Sequence, residues 1–451
     1  MRFVMGLGDQ EQTTARAGLP LVVEAFRAIG GDREIEDGLQ LARRRRGFTE
    51  AAKAEALVLL IAAGGERVED IRILSEDRGL LRLLGGPLPS PDALLDFLNA
   101  FADPAVTAQR PPEKAAWVPP ESAPLQALAA VNRTLVARVA DADATVATID
   151  HDGTIIESHK RDAYVAYEGT RGDQPLVAVW QEQDLIVADE FRDGNVAGGE
   201  DPLSSVKRAF AALPVGVRER YFRGDTADYY TPLLKWLVQQ GIGFAIGADM
   251  GKDLRARCEA VPPEAWALLE HRSTEEVHLA EVEFVPGDWP KTAAPLRYVA
   301  VRFTPLQQEM FEPRGPKYLA VASNRSAPSA AELMRWYWQK AGTVEHTHRV
   351  LKDELAAGVL PCGRFAANAA WFRLNAITYN LLTLLRRRAL PARYADARPK
   401  RLRFEVFTLP GRLTVHQREL TVSVSASPDR SRELVEARER LLALYDALAD
   451  R

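Results

Sequence analysis

Residues 144–156 read Ala144-Thr-Val-Ala-Thr-Ile149-Asp150-His151-Asp152-Gly153-Thr154-Ile-Ile156, and the fold is decided on this stretch. Its apolar, β-branched run predicts a strand, and Asp150 and Asp152, two residues apart, leave it on one face. The segments that follow extend the pattern. Ala163–Tyr167, Leu176–Gln181 and Leu185–Phe191 are short β-rich runs at hairpin spacing, with a turn from Gly169 to Asp173, so three antiparallel strands are expected. Pro202–Leu213 predicts a helix, Arg220–Asp225 a strand ending in an acid, Thr231–Gln240 a helix and Gly243–Ala248 a strand.

Three strands, helix, strand, helix, strand is the order of the ribonuclease-H-like fold, an α/β core with a mixed five-stranded sheet and flanking helices. Asp249–Pro316 interrupts it. Val277–Phe284 and Arg297–Phe303 predict strands around Trp289 in a proline-flanked turn, which implies a β-rich insertion before a last core strand at Tyr318–Ala322. One helix is then expected from about Ala330 to Leu355, carrying Tyr337, Lys340, Glu345, His348 and Lys352. Glu345, His348 and Lys352 fall at i, i+3 and i+7 and share a face. Asp152, Asp225 and Glu345 are far apart in the chain and can meet only in the fold. Magnesium sites are built from a few such oxygens plus substrate phosphate, so these three are the candidate catalytic acids and metal ligands.

Outside this core the N-terminal part reads as all-helical. Leu19–Ile29, Thr49–Ala63 and Pro91–Phe101 have apolar spacing at three and four, with Thr49 and Ser90 as N-caps. Four arginines, Arg43, Arg44, Arg45 and Arg46, precede the second of these helices and are either a DNA-end contact or a solvated turn. Residues 104–124 hold six prolines and read as a linker. A largely apolar helix is expected from Ala366 to Arg387, ending in Arg386, Arg387 and Arg388. Strands at Leu402–Leu409 and Arg412–Val424 and a helix over Ser431–Ala449 close the chain. The expected division is a helical DNA-end-binding domain (1–105), linker (106–124), catalytic core (125–249 and 317–390), β-rich insertion (250–316) and basic C-terminal region (391–451).

The 451 residues carry a net charge of −4, unevenly spread. Arg335–Ser425 holds 16 lysines and arginines against 6 acids, a local +10 of the kind phosphate binding requires. Two cysteines, Cys258 and Cys362, are too few for a disulfide framework or a thiolate zinc site. No signal pattern and no apolar run of spanning length is present, so a cytoplasmic, nucleoid-associated protein with no membrane partner is expected.

Taken together these residues resemble the insertion-sequence transposases of the DDE superfamily, related to ribonuclease H and retroviral integrases, in the branch with a β-strand insertion before the third acid. The resemblance covers roughly Thr145 to Phe407 and rests on three blocks. Thr148–Thr154 matches the family's strand with its Asp-x-Thr step, which makes Asp152 the first acid. Phe222–Asp228 supplies Asp225 as the second. The third block resembles the family's Tyr-Arg-Glu-Lys signature, with Tyr337, Glu345 and Lys352; Lys340 stands where that signature has arginine, one residue further from the glutamate. The resemblance implies two Mg²⁺ ions (Mn²⁺ substituting), cleavage of double-stranded DNA at terminal inverted repeats, strand transfer of the 3′-hydroxyl into target DNA, and a homodimer in the DNA complex. It implies phosphate contacts from Tyr337, Lys340 and Lys352; for Trp289 it implies stacking of a flipped base, against which stands a place in the core of the insertion. His348, Arg349, Arg386, Arg387, Arg388, Lys400 and Arg401 are further candidate DNA contacts. Asp150 could be a ligand, an acid behind the ligands, or a charged strand residue.

Two other readings compete. Asp150-His151-Asp152-Gly153-Thr154 also matches the nucleophile motif of haloacid-dehalogenase-like phosphatases, with Asp150 as nucleophile. A catalytically inert DNA-binding relative or repressor of transposition is the third.

Overall fold

Residues 11–41, 47–160, 163–306 and 315–449 are described by the computed structural model. Helices α1 (Pro20–Ala28), α2 (Glu50–Ala63) and α3 (Pro91–Asn99) form where apolar residues repeat at helical spacing. Thr49 and Ser90 cap the last two, accepting from the N–H groups of Ala52 and Ala93. The proline-rich segment contains a short helix, Pro104–Ala108, and Arg110 anchors it to Asp193 at 2.6 Å. Helix α4 spans Ala123–Val139.

The first strand, β1 (Val146–Gly153), lies inside a nine-stranded mixed sheet. Three short strands, β2 (Ile156–Glu157), β3 (Tyr164–Val165) and β4 (Arg171–Asp173), form a separate small sheet. The run expected at Ala163–Tyr167 therefore does not join the main sheet. Gly169, at φ 85°, turns it back onto β4 instead. Strands β5 (Leu176–Trp180) and β6 (Leu185–Glu190), helix α5 (Pro202–Ala211), strand β7 (Glu219–Gly224), helix α6 (Thr231–Gln239) and strand β8 (Gly243–Gly247) follow.

Strands β9 (Ala267–His271), β10 (Glu275–Val282), β11 (Arg297–Pro305) and β12 (Lys317–Ser323) continue the same sheet, whose order is β9-β10-β11-β12-β8-β7-β1-β5-β6. Only β7 pairs in parallel, with β1 on one side and β8 on the other. The strands from 267 to 305 extend the central sheet at its edge. They share a core of Ala245, Val277, Val299, Val321, Leu333 and Met334 with helix α7 (Ala330–Trp338).

The helix expected over 330–355 is two helices. α7 ends at Trp338, a tight turn covers Gln339–Gly342, and α8 runs from Val344 to Glu354. The break follows from Thr343, whose hydroxyl donates to the Lys340 carbonyl at 2.9 Å and so competes with the helical ladder. The extra residue between Lys340 and Glu345 falls in this turn.

Helix α9 (Phe365–Leu384) is buried on every side from Ala367 onward. Two of its polar residues reach the sheet: Asn380 accepts from the Ile186 N–H at 2.8 Å, and Arg373 pairs with Asp189 at 2.9 Å. Leucines and alanines of α1, α2 and α4 join this helix in one continuous core.

The strand expected at Leu402–Leu409 is instead a short helix, Pro399–Leu402, followed by a wide turn over Arg403–Phe407. Leu402, Val406 and Phe407 are buried while Phe404 is 80% exposed, so the period is helical and not alternating. The run at 412–424 is a hairpin, β13 (Gly411–His416) and β14 (Glu419–Val424), turning on Gln417 and Arg418, both at positive φ. Helix α10 (Pro428–Ala449) closes the chain. Among the described residues no helix is long and apolar enough to cross a membrane.

Asp173, at the end of β4, is buried beside Asp193, and burial pushes its carboxyl up to about 8, with Asp193 reinforcing the shift and Arg110 and Lys160 opposing it. Unfolded, this acid ionises in the ordinary carboxylate range, so above that range folding must take up a proton. The stability Asp173 supports falls as pH rises towards about 8 and is flat beyond. Asp173→Asn should match the wild type in thermal unfolding at about pH 4 and exceed it at about pH 9. A difference that does not vary with pH would refute the assignment.

Candidate active site

Strands β1 and β7 run side by side in parallel, with Asp150 opposite Arg223. Side chains two apart share a face, so Asp152 and Asp225 follow their neighbours off adjacent strand ends. Asp150 and Arg223 are both fully buried and form a two-pronged pair, Nε to Oδ1 at 2.6 Å and Nη2 to Oδ2 at 2.7 Å. The Thr343 hydroxyl also donates to Asp150 Oδ2. Arg223 reaches onward to the Trp336 carbonyl, to Gln339 Oε1 at 3.3 Å and to Gln181 Oε1 at 2.6 Å. Asp150 is thus spent on holding the 336–343 segment against the two strands. It is not available as a ligand or as a nucleophile.

The opposite face of β1 is pinned as well. His151 Nδ1 lies 2.8 Å from Asp228 Oδ1, and Nε2 lies 3.2 Å from Ser205 Oγ. Serine, imidazole and carboxylate in this order have the geometry of an acyl-transfer site. All three are buried, Ser205 at 1% exposure, so no substrate reaches the hydroxyl. The contact ties α5 and the Thr226–Asp228 turn to β1. Gly224 permits it: a Cβ there would stand 2.3 Å from Asp228 Oδ2.

Between these two clamps the acids meet a cation. Lys340 Nζ lies 3.2 Å from Asp152 Oδ2, with its side chain 8% exposed. Asp152 Oδ1 accepts from the Gly153 N–H and Asp225 Oδ1 from the Ala227 N–H, each at 2.9 Å. Burial raises the Asp225 carboxyl above its ordinary value against the pull of Lys340, and Asp228 and Asp152 add to the rise. Burial alone would lower the Lys340 amine, but Asp152 and Asp225 outweigh it and hold the ammonium above its usual value. Burial pushes the Tyr337 phenol up to about 12; its hydroxyl sits near Gly247 and Thr226, beside Asp225.

His348 does not point to solvent. It is buried on the face of α8 nearest Asp152, and neither ring nitrogen has a hydrogen-bond partner. Burial lowers its imidazole to about 4, so it is neutral, with Asp152 opposing the shift and Lys340 adding to it. Glu345 opens α8 one turn earlier and is exposed. Among the described residues no group of three carboxylates, imidazoles or thiols gathers to hold a metal ion. Asp152 and Asp225 are brought together by the fold; Glu345 is not joined to them.

The basic candidates divide into spent and exposed. Lys352 donates to the Ile155 carbonyl at 3.0 Å and approaches Thr154 Oγ1 at 3.4 Å, bracing the loop after Asp152. Arg386 pairs with Asp184 at 2.7 Å, Arg387 and Arg388 both pair with Asp141, and Arg401 pairs with Glu405 at 2.9 Å. Arg349 is exposed and donates to His346 Nδ1 at 2.8 Å; Lys400 is exposed. Trp289 is 5% exposed, sits in the main core and donates to the Ala294 carbonyl at 3.0 Å, so its face is not open for stacking. Arg43 to Arg46 lie outside the described residues.

Reading the sequence gave no role to Arg223, Thr343 or Tyr167. The signal for Arg223 was present, since Arg223-Gly-Asp225 repeats the alternate spacing of Asp150-His-Asp152 on the neighbouring strand. Tyr167 is 74% exposed at the tip of the small sheet. It borders a cleft of about 510 Å³ that also takes in Gly153, Thr154 and Lys352, next to Asp152. A larger cavity of about 1040 Å³ lies under the proline-rich segment and touches none of the three acids.

The family described as transposase DDE domain, group 1, matches residues 6–445. A search of curated proteins found no match. Among solved structures, a cryo-EM structure of the piggyBac transposase synaptic complex with hairpin DNA is similar over 98% of this chain and 85% of that one, at 13% identity and a TM-score of 0.43.

Breaking a buried ion pair by removing one partner costs about 3–5 kcal/mol. Asp150→Ala should therefore lower the denaturant-unfolding free energy by about that much, and Thr343→Val by about 1 kcal/mol. An Asp150→Ala protein as stable as the wild type would show that the pair does not hold the segment.

Proposed function

The chain belongs to the transposase DDE-domain family, and from that premise we propose that it is a metal-dependent transposase which cuts DNA at the terminal inverted repeats of its element and transfers the freed 3′-hydroxyl to target DNA. The observation that carries the reading is the pair of aspartates at the ends of two adjacent strands with a buried ammonium beside them. The order β6-β5-β1-β7-β8, antiparallel for the first three and parallel for the last three, supports a ribonuclease-H-like core around them.

The donor set fits a hard divalent cation. Magnesium is commonly held by one or two carboxylates plus substrate phosphate rather than by an all-protein cage, and the Lys340 ammonium marks where positive charge is stabilised. Asp152 and Asp225 would hold the metal, with Glu345 as the third acid. Two Mg²⁺ ions, or Mn²⁺ in their place, would supply an activated water or 3′-hydroxyl and stabilise the leaving oxygen. The chain's own residues do the rest. Lys352 orders the loop after Asp152, Tyr337 flanks Asp225, and exposed Arg349 and Lys400 face phosphate with Arg386–Arg388 and Arg401 as weaker contributors because acids already match them.

In this reading residues 1–105 bind the element ends, 125–249 with 317–390 form the catalytic core, 250–316 the insertion and 391–451 the basic C-terminal region. Joining two ends in one complex calls for a homodimer, acting in the cytoplasm on nucleoid DNA. The phosphatase reading fails on Asp150, whose two oxygens are engaged by Arg223 and Thr343 at full burial. In magnesium, the protein should nick labelled DNA bearing the inverted repeats that bracket its gene. Asp152→Asn, Asp225→Asn and Glu345→Gln should each cut at least about a thousandfold more slowly, about 4 kcal/mol of barrier, while still binding that DNA. Binding without nicking by the wild type would favour an inert repressor.

A further inference from the structure

We propose that Lys340 is an exchangeable counter-cation: it neutralises Asp152 and Asp225 until a divalent ion binds them, then gives its charge to a DNA phosphate, so that metal and DNA each strengthen the binding of the other. This rests on the transposase reading above.

The observations are local. Asp152, Asp225 and Asp228 bring three carboxylates to the ends of two strands, and Asp228 is already engaged by His151. That leaves two acids, and the ammonium of Lys340 beside Asp152 offsets them. A second cation at the same oxygens is repelled by the first, so a divalent ion and the ammonium exclude one another there. The backbone bearing Lys340 is held on both sides, by Arg223 at Trp336 and Gln339 and by Thr343 at Asp150. Only the side chain has to move, and a lysine has a flexible stem for it. An arginine would grip a carboxylate with two parallel bonds and release it less readily. The displaced ammonium needs an anion, and the one delivered to this site with the metal is the phosphate backbone of the substrate. Linkage then requires the effect to be reciprocal: whatever factor DNA adds to metal affinity, metal adds to DNA affinity.

The test uses the full chain and Mn²⁺ as a spectroscopic probe, read by electron paramagnetic resonance and calorimetry with and without duplex DNA. In the wild type, Mn²⁺ affinity should rise about tenfold when DNA is added, and DNA affinity by the same factor when Mn²⁺ is added. Lys340→Met, and Lys340→Gln as a second variant that keeps a polar end, should bind Mn²⁺ about tenfold more tightly than the wild type without DNA and gain less from DNA than the wild type does, what is left being phosphate ligation of the metal itself. Unchanged or weaker Mn²⁺ binding in both variants overturns the proposal and makes Lys340 a permanent structural partner. Asp152→Asn and Asp225→Asn separate the two readings: Mn²⁺ binding that survives both substitutions refutes the metal site itself, whatever Lys340 does.

Discussion

A guanidinium and a carboxylate, Arg223 and Asp150, meet at full burial between two parallel strands, and the candidate site depends on that contact. Neither charge is tolerable alone in such surroundings, so each fixes the other, and the spare donors of Arg223 must find acceptors. They find them on the segment from Trp336 to Gln339, while Asp150 takes the Thr343 hydroxyl. One ion pair thereby links the strands bearing Asp152 and Asp225 to the turn bearing Lys340 and to the start of the helix bearing Glu345. Loss of either partner would leave a buried charge and release the segment that bears Lys340 and Thr343.

The other face of the same strand is held by His151, Asp228 and Ser205. Their distances alone would suit nucleophilic catalysis, yet burial shuts the serine away from any substrate. What they accomplish is mechanical: the turn after Asp225 is tied to the strand before Asp152. The aspartates are thus set by clamps above and below the sheet. Their mutual repulsion is answered by Lys340, which explains how two acids share one end of the sheet in the folded chain.

Charge count and charge availability part company in the final third of the chain. The excess of arginine there is real, but Arg386, Arg387 and Arg388 are paired at the surface with Asp184 and Asp141, while Arg373 and Arg403 are drawn inward, to Asp189 and backbone carbonyls. Arg373 and Arg403 hold the central helix and the Arg403 turn in place. A surface for nucleic acid must then rely on the cations left outside, such as Arg349 and Lys400.

Much of the framework was legible from residue order. The β-branched run within 144–156 and the long, largely apolar stretch 365–384 reflect burial along one element, which neighbours in sequence suffice to encode. The same local signals misled at two places: Thr343, bonded to the nearby Lys340 carbonyl and to distant Asp150, broke a helix, and Arg403, reaching the carbonyls of Ile61 and Ala62, stands where a strand was expected. The Asp-x-Thr step favours Asp152 as the site acid, but Asp150 and Asp152 share a strand face, and their spacing does not say that Asp150 goes to an ion pair. That choice belongs to Arg223, 73 positions away, and to Thr343, 193 away, because electrostatic pairing acts through space after the chain has folded. Tertiary structure alone likewise turned His348 inward and left Tyr167 out, since the exposure of one side chain is decided by what packs over it.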